Sequence, residues 1–136
     1  MINNKKGNVL LRSSVTIPSN ECLHTKNGYI YMDGKEVFIQ AVNHFSQDIT
    51  KTLEKVHNVD WFVPHQANFK IIHSVCKKAD FPLDKVMYNG NKYGNTSAAS
   101  VPLAFYDYYN KLKPGDKVLF SAFGAGLRGS SLCLEM

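Results

Sequence analysis

The stretch Asp60–Val75, DWFVPHQANFKIIHSV, contains a change of period that decides the fold. Trp61, Phe62 and Val63 form a short apolar run, and Pro64, which has no N–H for a ladder, ends it. From Ala67 onward Phe69, Ile71, Ile72, Val75 and Cys76 recur at helical spacing. His65 therefore falls on a strand-to-helix connection, the position outside a strand's carboxyl end where open α/β sheets bind ligands.

Working outward, the same alternation repeats. Upstream, Tyr29-Ile30-Tyr31 predicts a short strand and Asp33-Gly34 a turn. A long amphipathic helix follows, its apolar face made by Val37, Phe38, Ala41, Val42, Phe45, Ile49, Leu53 and Val56. Downstream, a brief strand is expected at Lys85–Tyr88, a loop rich in Asn and Gly runs to Ser97, and a helix spans about Ala98 to Lys111. Pro114-Gly115 marks a turn, and two final strands are joined by the Gly124-Ala125-Gly126 bend. The first residues are less regular: NVLL reads as strand, and SSVTIPSNE as loop interrupted by Pro18. We divide the chain into an irregular segment with one strand, 1–27, and a main α/β domain, 28–136, with a mixed sheet and layered helices.

Bulk properties narrow the function. The chain has 136 residues, 44% hydrophobic and 20% charged, which suits one globular domain and no low-complexity class. No apolar run approaches the roughly 20 residues of a membrane helix, and MINNKKGNVLLRSS lacks the apolar core of a signal peptide, so a cytoplasmic protein with no membrane partner is expected. Three cysteines, Cys22, Cys76 and Cys133, without a CxxC pair argue against a disulfide framework and against a metal site. Cys76 and Cys133 read as small core residues, Cys22 as part of a polar loop. The net charge of +5 and pI near 9.1 favour an anionic partner. With no basic stripe and no helix-turn-helix or RNA-binding signature, no nucleic-acid partner is expected.

Three loops stand at strand ends: PHQAN (64–68), YGNTSAAS (93–100) and AFGAGLRG (122–129). If they converge, His65, Asn95 and a glycine bend meet, and a His and an Asn can donate to one oxygen as an oxyanion site does. Each also has a plain reading, as a loop histidine, a turn-forming asparagine and hairpin glycines.

The segments MDGKEVF, DWFVPHQAN, GNTSAASVPLAF and LKPGDKVLFSAFGAGL, in this order, resemble the carboxyl-terminal half of β-ketoacyl-acyl-carrier-protein synthase III, over about Gly28 to Met136. The resemblance implies half of a thiolase-like fold and a decarboxylating Claisen condensation of acyl coenzyme A with malonyl-acyl carrier protein, the step that starts fatty-acid synthesis. It implies that His65 and Asn95 stabilise the enolate, that Phe123, Gly124 and Ala125 form the oxyanion loop, and that Phe38, Ala67 and Asn68 line the coenzyme A pantetheine path. Lys70 matches a position that docks the carrier protein, where an Arg is common; Lys keeps the charge and loses the bidentate fork.

No covalently bound cofactor is implied; coenzyme A thioesters are substrates. The family's nucleophilic cysteine belongs to an amino-terminal half, and none of the three cysteines here sits in its motif. The expectation is a separately encoded partner, an expressed fragment, or self-association as a homo- or hetero-oligomer that covers an apolar face. The alternatives are a non-catalytic coenzyme A- or carrier-binding module and a related acyltransferase of secondary metabolism.

Overall fold

A computed structural model describes residues 7–17 and 21–136. Strand β1 (Asn8–Thr16) is followed by a hairpin of β2 (Leu23–Lys26) and β3 (Tyr29–Met32), then by helix α1 (Gly34–Val56). Strand β4 (Trp61–Pro64) leads into α2 (Phe69–Ala79), a single turn α3 (Gly90–Tyr93) and α4 (Ser100–Tyr108). Strands β5 (Lys117–Gly124) and β6 (Arg128–Glu135) close the chain. The main sheet has the order β1-β6-β5-β4, with β4 and β5 parallel and both pairs made by β6 antiparallel, so it is mixed as expected.

Helices cover both faces of this sheet. The period of two along β4 and β5 sorts the side chains: Phe62, Leu119 and Phe123 face the core built with α1 and α2, where Phe45, Ile49, Ile72 and Val75 are buried. Val63 and Val118 face the opposite core, with Ala104 of α4 and Met87. Cys76 and Cys133 are buried in the first core, as their apolar surroundings in the sequence suggest.

The helix ends follow local rules. Asp33, expected in a turn, is the N-cap of α1, its carboxylate accepting from the Lys35 and Glu36 N–H groups. Asn68 caps α2 by accepting from the Lys70 N–H at 2.8 Å. His57 and Asp80 end the two helices in the left-handed region, at φ 62° and 50°.

Four expectations change. Strand β1 extends through Ser13–Thr16, which read as loop, because the whole stretch pairs with β6 and its alternating side chains need no apolar run at an edge. The Pro18 break lies outside the described residues. At Lys85–Tyr88 there is a 3₁₀ turn, Leu83–Lys85, and one parallel bridge between Phe62 and Val86 instead of a strand. The helix predicted over 98–111 is α4 flanked by 3₁₀ turns at Ser97–Ala99 and Tyr109–Lys111. Cys22, placed in a polar loop, is 6% exposed and packs into the main core, whose demand for apolar volume overrides its polar neighbours in sequence.

Candidate active site

The three loops converge. His65 follows directly on β4, and its N–H donates to the Ser121 carbonyl at 2.8 Å, continuing the parallel ladder by one residue. That bond sets the side chain at the carboxyl end of β4 and β5. Asn95 comes from the connection between α3 and α4, and Phe123, Gly124 and Ala125 come from the end of β5. Together with Ala67, these residues line one cleft of about 500 Å³. Its far wall is supplied by the β2–β3 hairpin through Leu23 and Met32, and its floor by Val37 and Ala41 of α1. A second opening of about 590 Å³ reaches His65, Phe123 and Gly124 from the β1 side.

The polar groups in the cleft are held in place. The Ser97 N–H donates to Asn95 Oδ1 at 2.9 Å, which leaves the Nδ2 amide of Asn95 as its donor. Ser97 adopts φ 54°, a left-handed conformation uncommon for serine, and it follows directly on the GNT segment it helps to hold. His65 Nδ1 lies 2.6 Å from Ser100 Oγ, so Nε2 is the ring nitrogen left to act on a ligand. Burial pushes the His65 imidazole below its ordinary value and favours the neutral ring.

The histidine loop is anchored by a residue that sequence reasoning passed over. Gln66 is buried. Its Nε2 donates to the Pro64 carbonyl at 2.6 Å and to the Met87 carbonyl at 3.1 Å, and its Oε1 accepts from the Asn89 N–H at 3.2 Å. Its own N–H donates to Ser100 Oγ at 3.2 Å. Gln66 therefore ties the end of β4 to the segment after the Phe62–Val86 bridge through its side-chain amide, and to the start of α4 through its backbone N–H. A polar residue between a histidine and an alanine at a strand end was the available signal; the distant carbonyls it meets were not readable. Ser100 was missed for the same reason.

Three predicted positions stand outside the cleft. Phe38 packs partly buried against the main core. Asn68 is exposed and spends its carbonyl oxygen on the helix cap, and Lys70 is exposed on the first turn of α2. All three cysteines lie within the described residues, and none lines the cleft. Burial raises the Cys76 thiol to about 11 and also pushes Cys133 up, the reverse of what a nucleophilic thiolate needs. Among the described residues no group of three or more His, Cys, Asp or Glu is arranged to hold a metal ion, and no helix is long and apolar enough to cross a membrane.

Residues 49–136 match the family model for the C terminal of 3-oxoacyl-acyl-carrier-protein (ACP) synthase III. The chain belongs to that family. It is 46% identical over 118 residues to the β-ketoacyl-acyl-carrier-protein synthase III of Phocaeicola vulgatus, an alignment covering 83% of this chain and 35% of the relative. A synthase III of Bacteroides thetaiotaomicron is 43% identical over 117 residues, with the same two shares. Among solved structures, the synthase III of Aquifex aeolicus superposes with a TM-score of 0.90 at 37% identity, covering 98% of this chain and 46% of that one. The Thermus thermophilus enzyme gives 0.89 at 28% identity. The chain thus spans about a third of the curated synthases it matches, and its architecture is the carboxyl-terminal half of their thiolase-like α/β fold.

Proposed function

We propose that this chain supplies the enolate-stabilising half of a cytoplasmic 3-oxoacyl-ACP synthase III active site, acting on malonyl-acyl carrier protein and an acyl group delivered from coenzyme A. The observation that carries the reading is the cleft shared by His65 and Asn95, with Asn95 Oδ1 engaged by a backbone N–H and its Nδ2 left as donor. Loss of carbon dioxide from a malonyl thioester leaves an electron pair that spreads onto the thioester oxygen. Two fixed donors at that oxygen stabilise the charge as it forms, and such donors lower a barrier more than contacts made equally to the ground state. The enolate carbon then attacks an acyl thioester carbonyl, for which the backbone of the Phe123–Ala125 bend is the candidate oxyanion site.

The thiol that carries the acyl group is assigned to a second half supplied by another chain or by the remainder of a longer one. The raised Cys76 and Cys133 thiols, and the absence of all three cysteines from the cleft lining, support that division. So do the exposed apolar residues of β3, where Tyr29 is 71% and Ile30 76% exposed beside the cleft. Ala67 and Met32 line the cleft, which supports assigning the pantetheine arm to that side. Lys70, exposed on the first turn of α2, is assigned to carrier docking, and Phe38 and Asn68 to the outer part of the pantetheine path.

Carbon dioxide release from malonyl-acyl carrier protein tests this. The chain alone, the chain with a cysteine-bearing half, and the same mixture with His65→Ala are compared. Turnover only in the mixture, lost with His65→Ala, is expected. Specific acylation of Cys22, Cys76 or Cys133 by acetyl coenzyme A in the isolated chain would overturn the division of labour. Association of the halves without turnover would favour a second reading, a binding module that keeps the groove without the chemistry, which the lack of a cleft cysteine in this chain also suits.

A further inference from the structure

We propose that Ser100 is a positioning residue for His65: its hydroxyl donates to Nδ1, fixes the imidazole as the Nε2–H tautomer, and so makes the histidine a hydrogen-bond donor toward the cleft. The inference rests on the proposed enolate role of His65 for its consequence, and on geometry alone for its substance.

Ser100 is 1% exposed, so its hydroxyl has no recourse to bulk water. Among the described residues its Oγ has two partners, the Gln66 N–H at 3.2 Å and His65 Nδ1 at 2.6 Å. The backbone N–H can only donate, so Oγ accepts there. The single hydroxyl proton then has His65 Nδ1 as its acceptor, which requires that nitrogen to carry a lone pair. The opposite arrangement, Nδ1–H donating to Oγ, would leave a buried hydroxyl proton unmatched among the described residues, and buried donors are seldom left so. With Nδ1 unprotonated, the ring proton of the neutral imidazole is on Nε2.

The direction matters for chemistry. A neutral histidine in the other tautomer would present a lone pair to an oxygen that is gaining negative charge, and would repel it. In the Nε2–H form it presents a donor without needing to be charged, in keeping with the half-buried ring's preference for neutrality. The same hydroxyl ties the ring to the first residue of α4 and, through Gln66, to the loop that carries the histidine. Ring orientation and tautomer are therefore set by one small buried group whose own position is fixed by a helix.

The test reads the tautomer directly, in long-range ¹H–¹⁵N correlation spectra of the ¹⁵N-labelled chain with His65 assigned by comparison with His65→Gln. The expected wild-type pattern is a pyridine-type Nδ1 and a pyrrole-type Nε2. In Ser100→Ala the two nitrogen signals move toward each other as tautomers mix, and the ring titrates closer to 6.5. In the reconstituted system kcat for carbon dioxide release falls by up to about 10²-fold, the loss that removal of one oxyanion donor brings, with KM little changed. A pyrrole-type Nδ1 in the wild-type chain overturns the proposal, whether or not Ser100→Ala folds. An Nε2–H ring in a reconstituted system that releases no carbon dioxide upholds the assignment to Ser100 and rejects the enolate role instead.

Discussion

Replacing Gln66 by alanine should destabilise the chain by about 3 kcal/mol, although the residue touches no substrate in the proposed reaction. The side chain makes three hydrogen bonds at 2.6, 3.1 and 3.2 Å, to the Pro64 and Met87 carbonyls and from the Asn89 N–H, and the residue is 2% exposed. A typical bond contributes about 1 kcal/mol net, and each buried partner left unmatched costs about 1–3 kcal/mol. Water entering the vacated space offsets part of that cost. In urea, with a slope of about 1–3 kcal/mol/M, a loss of 3 kcal/mol moves the midpoint down by about 1–3 M. Gln66→Glu should lose nearly as much, because an ionised carboxylate can accept from Asn89 but cannot donate to two carbonyls. A midpoint shift equivalent to less than about 0.5 kcal/mol, the range of an ordinary surface substitution, would refute the view that this amide anchors the histidine loop.

Three further outcomes are expected. Gly129→Ala should cost about 1–3 kcal/mol, since a Cβ there would collide with the imidazole of buried His44, and a compensating His44→Ala should recover part of the loss in thermal unfolding. Stability should fall with acid below pH 6.5. His44 and His65 are both held below 6.5, chiefly by burial, so the unfolded chain binds protons that the native one does not; the contribution is complete above 6.5 and is lost as pH falls toward the folded values. Urea midpoints measured from pH 7.5 down to 5.5 check this, and His44→Gln should flatten the slope. Asp33→Ala should remove about 1 kcal/mol by uncapping α1, visible in the same titrations.

His44 shows how a buried site can defeat intuition. Its Nε2 lies 3.2 Å from Asp48 Oδ2, close enough for an ion pair, yet has no aligned hydrogen-bond partner among the described residues. Desolvation outweighs the attraction of Asp48, which itself accepts from the Ser121 hydroxyl, and Lys51 opposes protonation further. The neutral ring packs against Phe123, one wall of the cleft.

How much was legible depended on whether the signal was local. The apolar stripe of α1, the Trp61–Pro64 strand ending at His65 and the Gly-rich bend before Leu127 were readable because period, proline and glycine act within a few residues. The β1 extension was not, since an edge strand exposed on much of its length is fixed by pairing with β6 rather than by its own pattern. The segment after Phe81 reads as a brief strand at Lys85–Tyr88, but the burial of Val86 and Met87 is met by a turn and a single bridge. At the site, His65 and Asn95 were singled out because they stand on loops at strand ends within segments that resemble the synthase III family, and the structure brings the two into one cleft. Gln66 and Ser100 escaped because their importance lies in partners 21 to 35 residues away.

The central claim is that His65 and Asn95 act on one developing oxyanion. A double-mutant cycle on carbon dioxide release from malonyl-acyl carrier protein, in the chain combined with a cysteine-bearing half, tests it most directly. Each of His65→Ala and Asn95→Ala should lower kcat by about 10²–10³-fold, and together they should cost clearly less than the product of the two, as donors serving one charge do. Losses that multiply, or an Asn95→Ala variant as active as the parent, would contradict a shared site.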